Sequence, residues 1–269
     1  MSSSRPIGVF DSGIGGLTVA HEIMRQLPNE GIVYFGDTAR VPYGPKSPDT
    51  VCRYSREIAE FLREQDVKMI VVACNTATAH ALPMLREELP CPVIGVVDPG
   101  ARAAIRVAPG GHIGVIGTTG TVRSGAYERA IRDLDPDARV TVRACPLFVP
   151  LVEEGWIDHP VTHQVAQEYL APLIADEIDA LVLGCTHYRL LKSLLCRVLG
   201  PGVALIDSAA ETAAETGRVL RDADLVAPAT SDAPPTHRFV ASDDPLQFLQ
   251  LGQRFLGDAI ESVETHTFG

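Results

Sequence analysis

Two similar α/β domains, each built on a parallel sheet, with a ligand cleft between them, are the architecture this sequence predicts. Three observations lead there. Short apolar runs alternate with helical patterns from Ile7 to Ile206, and runs of continuous hydrophobicity belong to strands covered on both faces. The halves share landmarks at near-constant spacing: "IGVFDSG" starts at Ile7 and "IGVIGTTG" at Ile113, 106 residues on, while "VVDPGARAA" and "LIDSAAETAA" set Asp98 and Asp207 109 apart. Cys74 in "IVVACNTAT" and Cys185 in "LVLGCTHY", 111 apart, each follow an apolar run and precede small polar residues. Matching offsets imply two copies of one unit related by pseudo-symmetry.

Strands are expected in order at Ile7 to Phe10, Ile32 to Phe35, Met69 to Ala73 and Val93 to Val97 in the first copy. Ile113 to Ile116, Val140 to Ala144, Leu181 to Leu183 and Val203 to Ile206 supply the second. After Ser208 come a helical "AAETAAETGRVL", a proline-rich break "APATSDAPPTH", a strand-like "HRFVAS" and a helix from Pro245 to Leu256. A third domain of about 60 residues would be marginal alone, so this tail should pack on the first copy. The expected domains are residues 1–98 with 208–269, and residues 99–207. Open α/β sheets bind ligands at the C-terminal ends of their strands, so each cysteine should sit on one wall of the cleft.

The chain of 269 residues is 46% hydrophobic and 21% charged, with a formal charge of −11. That balance disfavours nucleic acid and anionic membranes as partners. No apolar stretch approaches the ~20 residues that span a bilayer, and "MSSSRPIG" lacks the apolar region of a signal peptide; a cytoplasmic protein is expected. The six cysteines show no CxxC spacing and read as free thiols. Cys52, Cys91, Cys145 and Cys196 read as buried structural cysteines.

Cys74 and Cys185 read differently, because a thiol between a strand and a helix meets backbone N–H groups and the positive end of the helix dipole. Asn75, Thr76, Thr186 and His187 add polar groups that a core site would not want. His187 could orient a substrate or exchange protons with Cys185, whereas His21, His80, His159, His163 and His237 read as helix or surface residues. Asp11 and Ser12 end the first strand, where a carboxylate could hold an ammonium or tune Cys74; "DSGIGG" could equally be a glycine-rich turn capping a helix. It lacks GK[ST] and the GxGxxG spacing, so no phosphate cofactor is expected. No metal is expected, since Cys74, Cys185 and His187 lack a fourth ligand. Pyridoxal phosphate would need a lysine, and Lys46, Lys68 and Lys192 are not placed for it. Two thiols facing each other suit inversion of a stereocentre without a cofactor, one taking the α-proton and the other returning one on the opposite face.

Together, "GVFDSGIGGLTV", "YFGDTARVPYG", "VVACNTAT", "GVIGTTGT", "LVEEG" and "LVLGCTHY" resemble the cofactor-independent aspartate/glutamate racemase superfamily, in its glutamate branch, from Ile7 to about Ala213. The resemblance implies reversible interconversion of L- and D-glutamate, the D form serving peptidoglycan synthesis and so cell-wall biogenesis and cell shape. It makes Cys74 and Cys185 the two acid/base residues, Asp11 and His187 their polar neighbours, and Asp37 and Glu153 acidic residues of a second layer. Ser12, Tyr43, Gly44, Asn75, Thr76, Thr118, Thr121 and Thr186 correspond to substrate contacts, as does Asp11. Arg189 stands where the family commonly has proline after "CTHY", which implies a changed rim and an unchanged mechanism. Homo-oligomers such as dimers are common in such enzymes. The competing readings are an aspartate racemase of the same superfamily, a non-catalytic two-lobed amino-acid binding protein, and a Cys/His hydrolase that leaves Cys74 without a task.

Overall fold

The computed structural model describes residues 4–228 and 235–268. Its strands are β1 (Ile7–Asp11), β2 (Ile32–Gly36), β3 (Met69–Val72), β4 (Val93–Gly95), β5 (His112–Gly117), β6 (Arg139–Ala144), β7 (Ala180–Gly184), β8 (Ala204–Ile206), β9 (His237–Ala241) and β10 (Glu264–Thr265). The helices are α1 (Leu17–Gln26), α2 (Pro48–Glu64), α3 (Asn75–Glu88), α4 (Val97–Val107), α5 (Thr119–Ser124), α6 (Ala126–Leu134), α7 (Phe148–Glu153), α8 (Pro160–Ala175), α9 (Lys192–Leu199), α10 (Ser208–Asp222) and α11 (Pro245–Leu256). The chain divides into two compact units, Met1–Val96 with Ala209–Gly269, and Val97–Ser208.

In the first unit the sheet order is β10-β9-β2-β1-β3-β4, all parallel. Alternation along each strand feeds two cores. Ile7, Val9, Tyr34 and Val71 pack with α1, α10 and α11 on one face, while Phe10, Phe35, Ile70 and Val72 pack with α2 and α3 on the other. Both faces are therefore apolar, which is why the strands read as unbroken hydrophobic runs. The tail enters through β9, whose register against β2 runs from Ile32 opposite His237 to Gly36 opposite Ala241. Most of the proline-rich break, residues 229–234, lies outside the described residues.

The second unit has the order β6-β5-β7-β8, also parallel. Ile116, Leu181 and Leu183 face α7, α8 and α9; Ile113, Val115 and Val182 face α4 and α6. The order β2-β1-β3-β4 of the first unit recurs here as β6-β5-β7-β8, so β1 matches β5 and β3 matches β7. In each unit the chain leaves its first strand to one side and returns on the other, which makes the C-terminal gap between β1 and β3, or β5 and β7, the switch point where α/β sheets take ligands.

Three expectations change. The fourth strand stops at Gly95, short of Val97, because Val97 opens α4 and Pro99 suits a first helical turn while it cannot donate to a ladder. Gly95 is required there: a Cβ would lie 2.4 Å from Thr78 Cγ2. Cys185 and Arg189 do not meet an α-helix but a 3-10 segment, Thr186–Leu191, with α9 starting only at Lys192. Cys196 is exposed on α9, and Cys52 and Cys91 are only partly buried, so of the four structural candidates only Cys145 is a fully buried thiol.

Candidate active site

The end of β1 and the end of β3 are held level by a hydrogen bond from the Ala73 N–H to the Phe10 carbonyl at 2.8 Å. Asp11 therefore emerges beside Cys74. Cys74 is the N-cap of α3, its Sγ accepting from the Ala77 N–H at 3.4 Å, and the positive end of a 14-residue helix favours negative charge on that sulfur. The Ser12 hydroxyl lies 3.7 Å from the sulfur. Asn75 and Thr76, in the first turn of α3, are buried beside it.

Asp11 is fully buried, and its Oδ2 accepts from the N–H groups of Gly13 and Gly16 at 3.2 and 3.0 Å. "DSGIGG" is thus a loop wrapped on its own carboxylate. A Cβ on Gly16 would come within 2.5 Å of Asp11 Cβ and 2.8 Å of the Tyr34 hydroxyl. Tyr34 was not flagged by the sequence; its hydroxyl donates to the Gly13 carbonyl at 2.8 Å and braces the loop from β2. Burial, with Asp11 and Cys74 nearby, holds this phenol well above its ordinary range, so it stays a neutral donor.

Asp37 follows β2 and its backbone N–H donates to the Asp11 carbonyl at 3.1 Å. Its buried carboxylate accepts from Arg40 Nε at 3.0 and 2.8 Å, from the Ser242 hydroxyl at 2.9 Å and from the Tyr43 hydroxyl. Tyr43 and Gly44 are buried in the turn that follows. Burial, then Asp37, pushes the Tyr43 phenol far above its ordinary value. Ser242 and Arg40 carried no sequence signal as site neighbours; Ser242 lies 205 residues away from Asp37.

In the second unit Thr118, just past β5, is the N-cap of α5: its hydroxyl oxygen accepts from the Thr121 N–H at 3.2 Å, and the two threonine hydroxyls are 3.1 Å apart. Cys185 leaves β7 with no capping bond from its sulfur. Its Sγ is 3.9 Å from His187 Nδ1, and His187 Nε2 is 3.2 Å from Glu153 Oε1 at the end of α7. If Nε2 carries the proton toward the carboxylate, Nδ1 presents a lone pair to the thiol, the arrangement of a base that can exchange a proton with sulfur. Thr186 is half-buried at the start of the 3-10 segment. Behind it, the Tyr188 hydroxyl donates to the Cys145 carbonyl at 2.7 Å, and burial pushes the Cys145 thiol up to about 12.

The residues the sequence singled out thus fall into two clusters, one per unit, at matching strand ends. Asp11, Ser12, Cys74, Asn75 and Thr76 form the first, joined by Asp37, Tyr43 and Gly44; Thr118 with Thr121, and Cys185 with His187 and Glu153, form the second. Among the described residues no group of three histidine, cysteine or acidic side chains could hold a metal ion, and no helix is long and apolar enough to cross a membrane.

Known proteins resemble this chain in sequence and in fold. A family model described as Asp/Glu/Hydantoin racemase matches residues 7–216. The chain is 52% identical over 259 residues to a glutamate racemase of Geobacter metallireducens, covering 96% of this chain and 95% of that one. It is 52% identical over 266 residues to a glutamate racemase of Neisseria meningitidis, covering 98% and 97%. The solved structure of glutamate racemase RacE1 from Bacillus anthracis matches with a TM-score of 0.92 at 44% identity, over 98% of this chain and 97% of that one. That of the Francisella tularensis glutamate racemase in complex with D-glutamate matches with a TM-score of 0.91 at 38% identity, over 98% of each.

Proposed function

The chain belongs to the Asp/Glu/hydantoin racemase family, and from that premise we propose that it is a glutamate racemase working through Cys74 and Cys185 without a cofactor. The observation that carries the reading is the matched position of the two thiols: each follows the third strand of its unit's repeat, and each has its own polar partners, Ser12 for one and His187 for the other. One enantiomer loses its α-proton to one thiolate, leaving a carbanion whose charge spreads into the α-carboxylate. The other cysteine, as a thiol, then donates its proton to the opposite face of Cα. After one turnover the thiol and thiolate have exchanged roles, and the reverse reaction uses the same two groups.

Asp11, fixed by two backbone N–H groups, assists on the Cys74 side; His187, backed by Glu153, assists on the Cys185 side. Ser12, Asn75, Thr76, Thr118, Thr121, Thr186 and the Tyr43–Gly44 turn receive the substrate's carboxylates and ammonium through hydroxyls, amides and backbone N–H groups. The D-glutamate formed would supply peptidoglycan precursors in the cytoplasm.

The test is to incubate the purified protein with L-glutamate, without pyridoxal phosphate or added metal, and to follow the circular dichroism of the amino acid. Decay to zero supports the proposal. A constant signal refutes it, and decay with L-aspartate alone would move the reading to the aspartate branch.

A further inference from the structure

We propose that Ser242 and Arg40 are positioning residues that hold the Asp37 carboxylate as an anchor for the Tyr43–Gly44 turn, so that Asp37 acts by fixing a substrate-binding turn and not by moving a proton. The inference rests on the reading above, in which that turn contacts substrate, and assigns to the C-terminal segment a part in the site.

Asp37 is completely buried, and its acceptor positions are taken up from within the protein. Oδ1 accepts from Ser242 Oγ and Arg40 Nε, Oδ2 from Arg40 Nε and the Tyr43 hydroxyl. A carboxylate engaged in this way has little capacity left for a substrate proton. What it does is join three separate stretches of chain: the end of β2, the loop that carries Arg40 and Tyr43, and the end of β9.

Each donor is itself fixed. Ser242 donates its backbone N–H to the Gly36 carbonyl at 3.1 Å, and its hydroxyl oxygen accepts from the Ala39 N–H at 2.8 Å. Next to it the Thr38 hydroxyl donates to the Asp243 carbonyl at 2.6 Å and accepts from the Asp243 N–H at 2.9 Å, so the loop and the segment after β9 are stitched reciprocally. The Arg40 guanidinium, also paired with Glu57, lies 4.0 Å from the Tyr54 ring centre and 4.5 Å from that of Phe268. Through Ser242 and Phe268 the last part of the chain thus secures both ends of the anchor.

The experiment compares wild-type protein with Ser242→Ala, Ser242→Thr and Tyr43→Phe. Losing one charge-assisted hydrogen bond should loosen the turn and raise KM for glutamate roughly 3- to 10-fold, with kcat within about twofold. Ser242→Thr should restore KM, and Tyr43→Phe, which releases the turn from the same carboxylate, should reproduce the KM change should Ser242→Ala not fold. In ligand-free protein, amide hydrogen exchange across residues 38–46 should accelerate in the alanine variant. A fall in kcat at unchanged KM would place Asp37 in proton transfer and overturn the proposal, as would unaltered kinetics or unaltered exchange. Wild-type protein inactive on glutamate would instead overturn the functional reading, and the exchange data would still decide the anchor.

Discussion

Replacing Lys68 by methionine should destabilise the first unit severely while leaving the chemistry of any surviving folded protein intact. Lys68 is fully buried one residue before β3, its Nζ 2.5 Å from Glu30 Oε2 in an ion pair whose side chains are 0% and 3% exposed. Glu30 in turn accepts from the Ala227 N–H at 2.8 Å through Oε1, so the pair ties β3, the turn before β2 and the chain after α10. Methionine fills a similar volume but strands the carboxylate in the core, and breaking a buried pair in this way costs about 3–5 kcal/mol. With a urea slope of about 3 kcal/mol/M, the unfolding midpoint of this unit should fall by roughly 1–1.7 M. Adding Glu30→Gln should recover part of that loss, because it removes the unpaired charge. Lys68 stands at the opposite end of β3 from Cys74, six residues or roughly 20 Å along an extended chain, too far to hold a cofactor over that thiol. A midpoint moved by less than ~0.3 M would show that the pair contributes little, and a stable, inactive variant would show that the lysine takes part in the reaction.

Three further outcomes follow from the same structure. Burial holds the Cys145 thiol protonated up to about pH 12, and alkylation needs thiolate, so iodoacetamide at pH 8 should label exposed Cys196 and spare Cys145; rapid labelling of Cys145, mapped by mass spectrometry, would contradict its burial. His237, half-buried at the start of β9, has its pKa lowered by burial, so the unfolded chain binds a proton first; the stability this neutral histidine contributes is present above the ordinary value near 6.5 and is lost as pH falls below it. His237→Gln should therefore flatten the stability profile between pH 7 and 5, and an unchanged slope in urea titrations would refute this. Glu153→Gln weakens the support of His187 and should lower kcat/KM roughly tenfold, by the same factor for both enantiomers because their equilibrium constant is one; unchanged rates would remove Glu153 from the site.

The features legible in the sequence are those that depend on local pattern. Strands apolar on both faces write continuous runs, the repeated strand-then-cysteine written at Cys74 and Cys185 marks matching strand ends, and the closely spaced glycines of "DSGIGG" mark a tight loop. What escaped depends on contacts between distant stretches. Ser242 reaches Asp37 across 205 positions from a strand end that looks like any other, and Tyr34 braces the Asp11 loop from what reads as a plain core strand. The Glu30–Lys68 pair is invisible because each residue alone reads as a solvated charge. The 3-10 segment after Cys185 reads as a helix because "THYRLL" carries no breaker. The end of β4 at Gly95 is likewise not legible, because the apolar run continues through Val97 into the first turn of α4. His187 and Glu153, 34 residues apart, are each named by the family resemblance but not as a pair; their contact is visible only in the structure.

The two-thiol claim is tested most directly by turnover of L-glutamate in D2O, stopped early and read by mass spectrometry of the separated enantiomers. If Cys74 and Cys185 work on opposite faces of Cα, the D-glutamate formed carries deuterium at Cα from a thiol equilibrated with solvent, while the remaining L-glutamate stays almost unlabelled. Cys74→Ser and Cys185→Ser should each abolish racemisation, since a serine hydroxyl is too weak an acid and base near neutral pH. D-glutamate that retains its original proton in substantial fraction, or a Cys74→Ser protein that racemises at near-normal rate in both directions, would contradict the account.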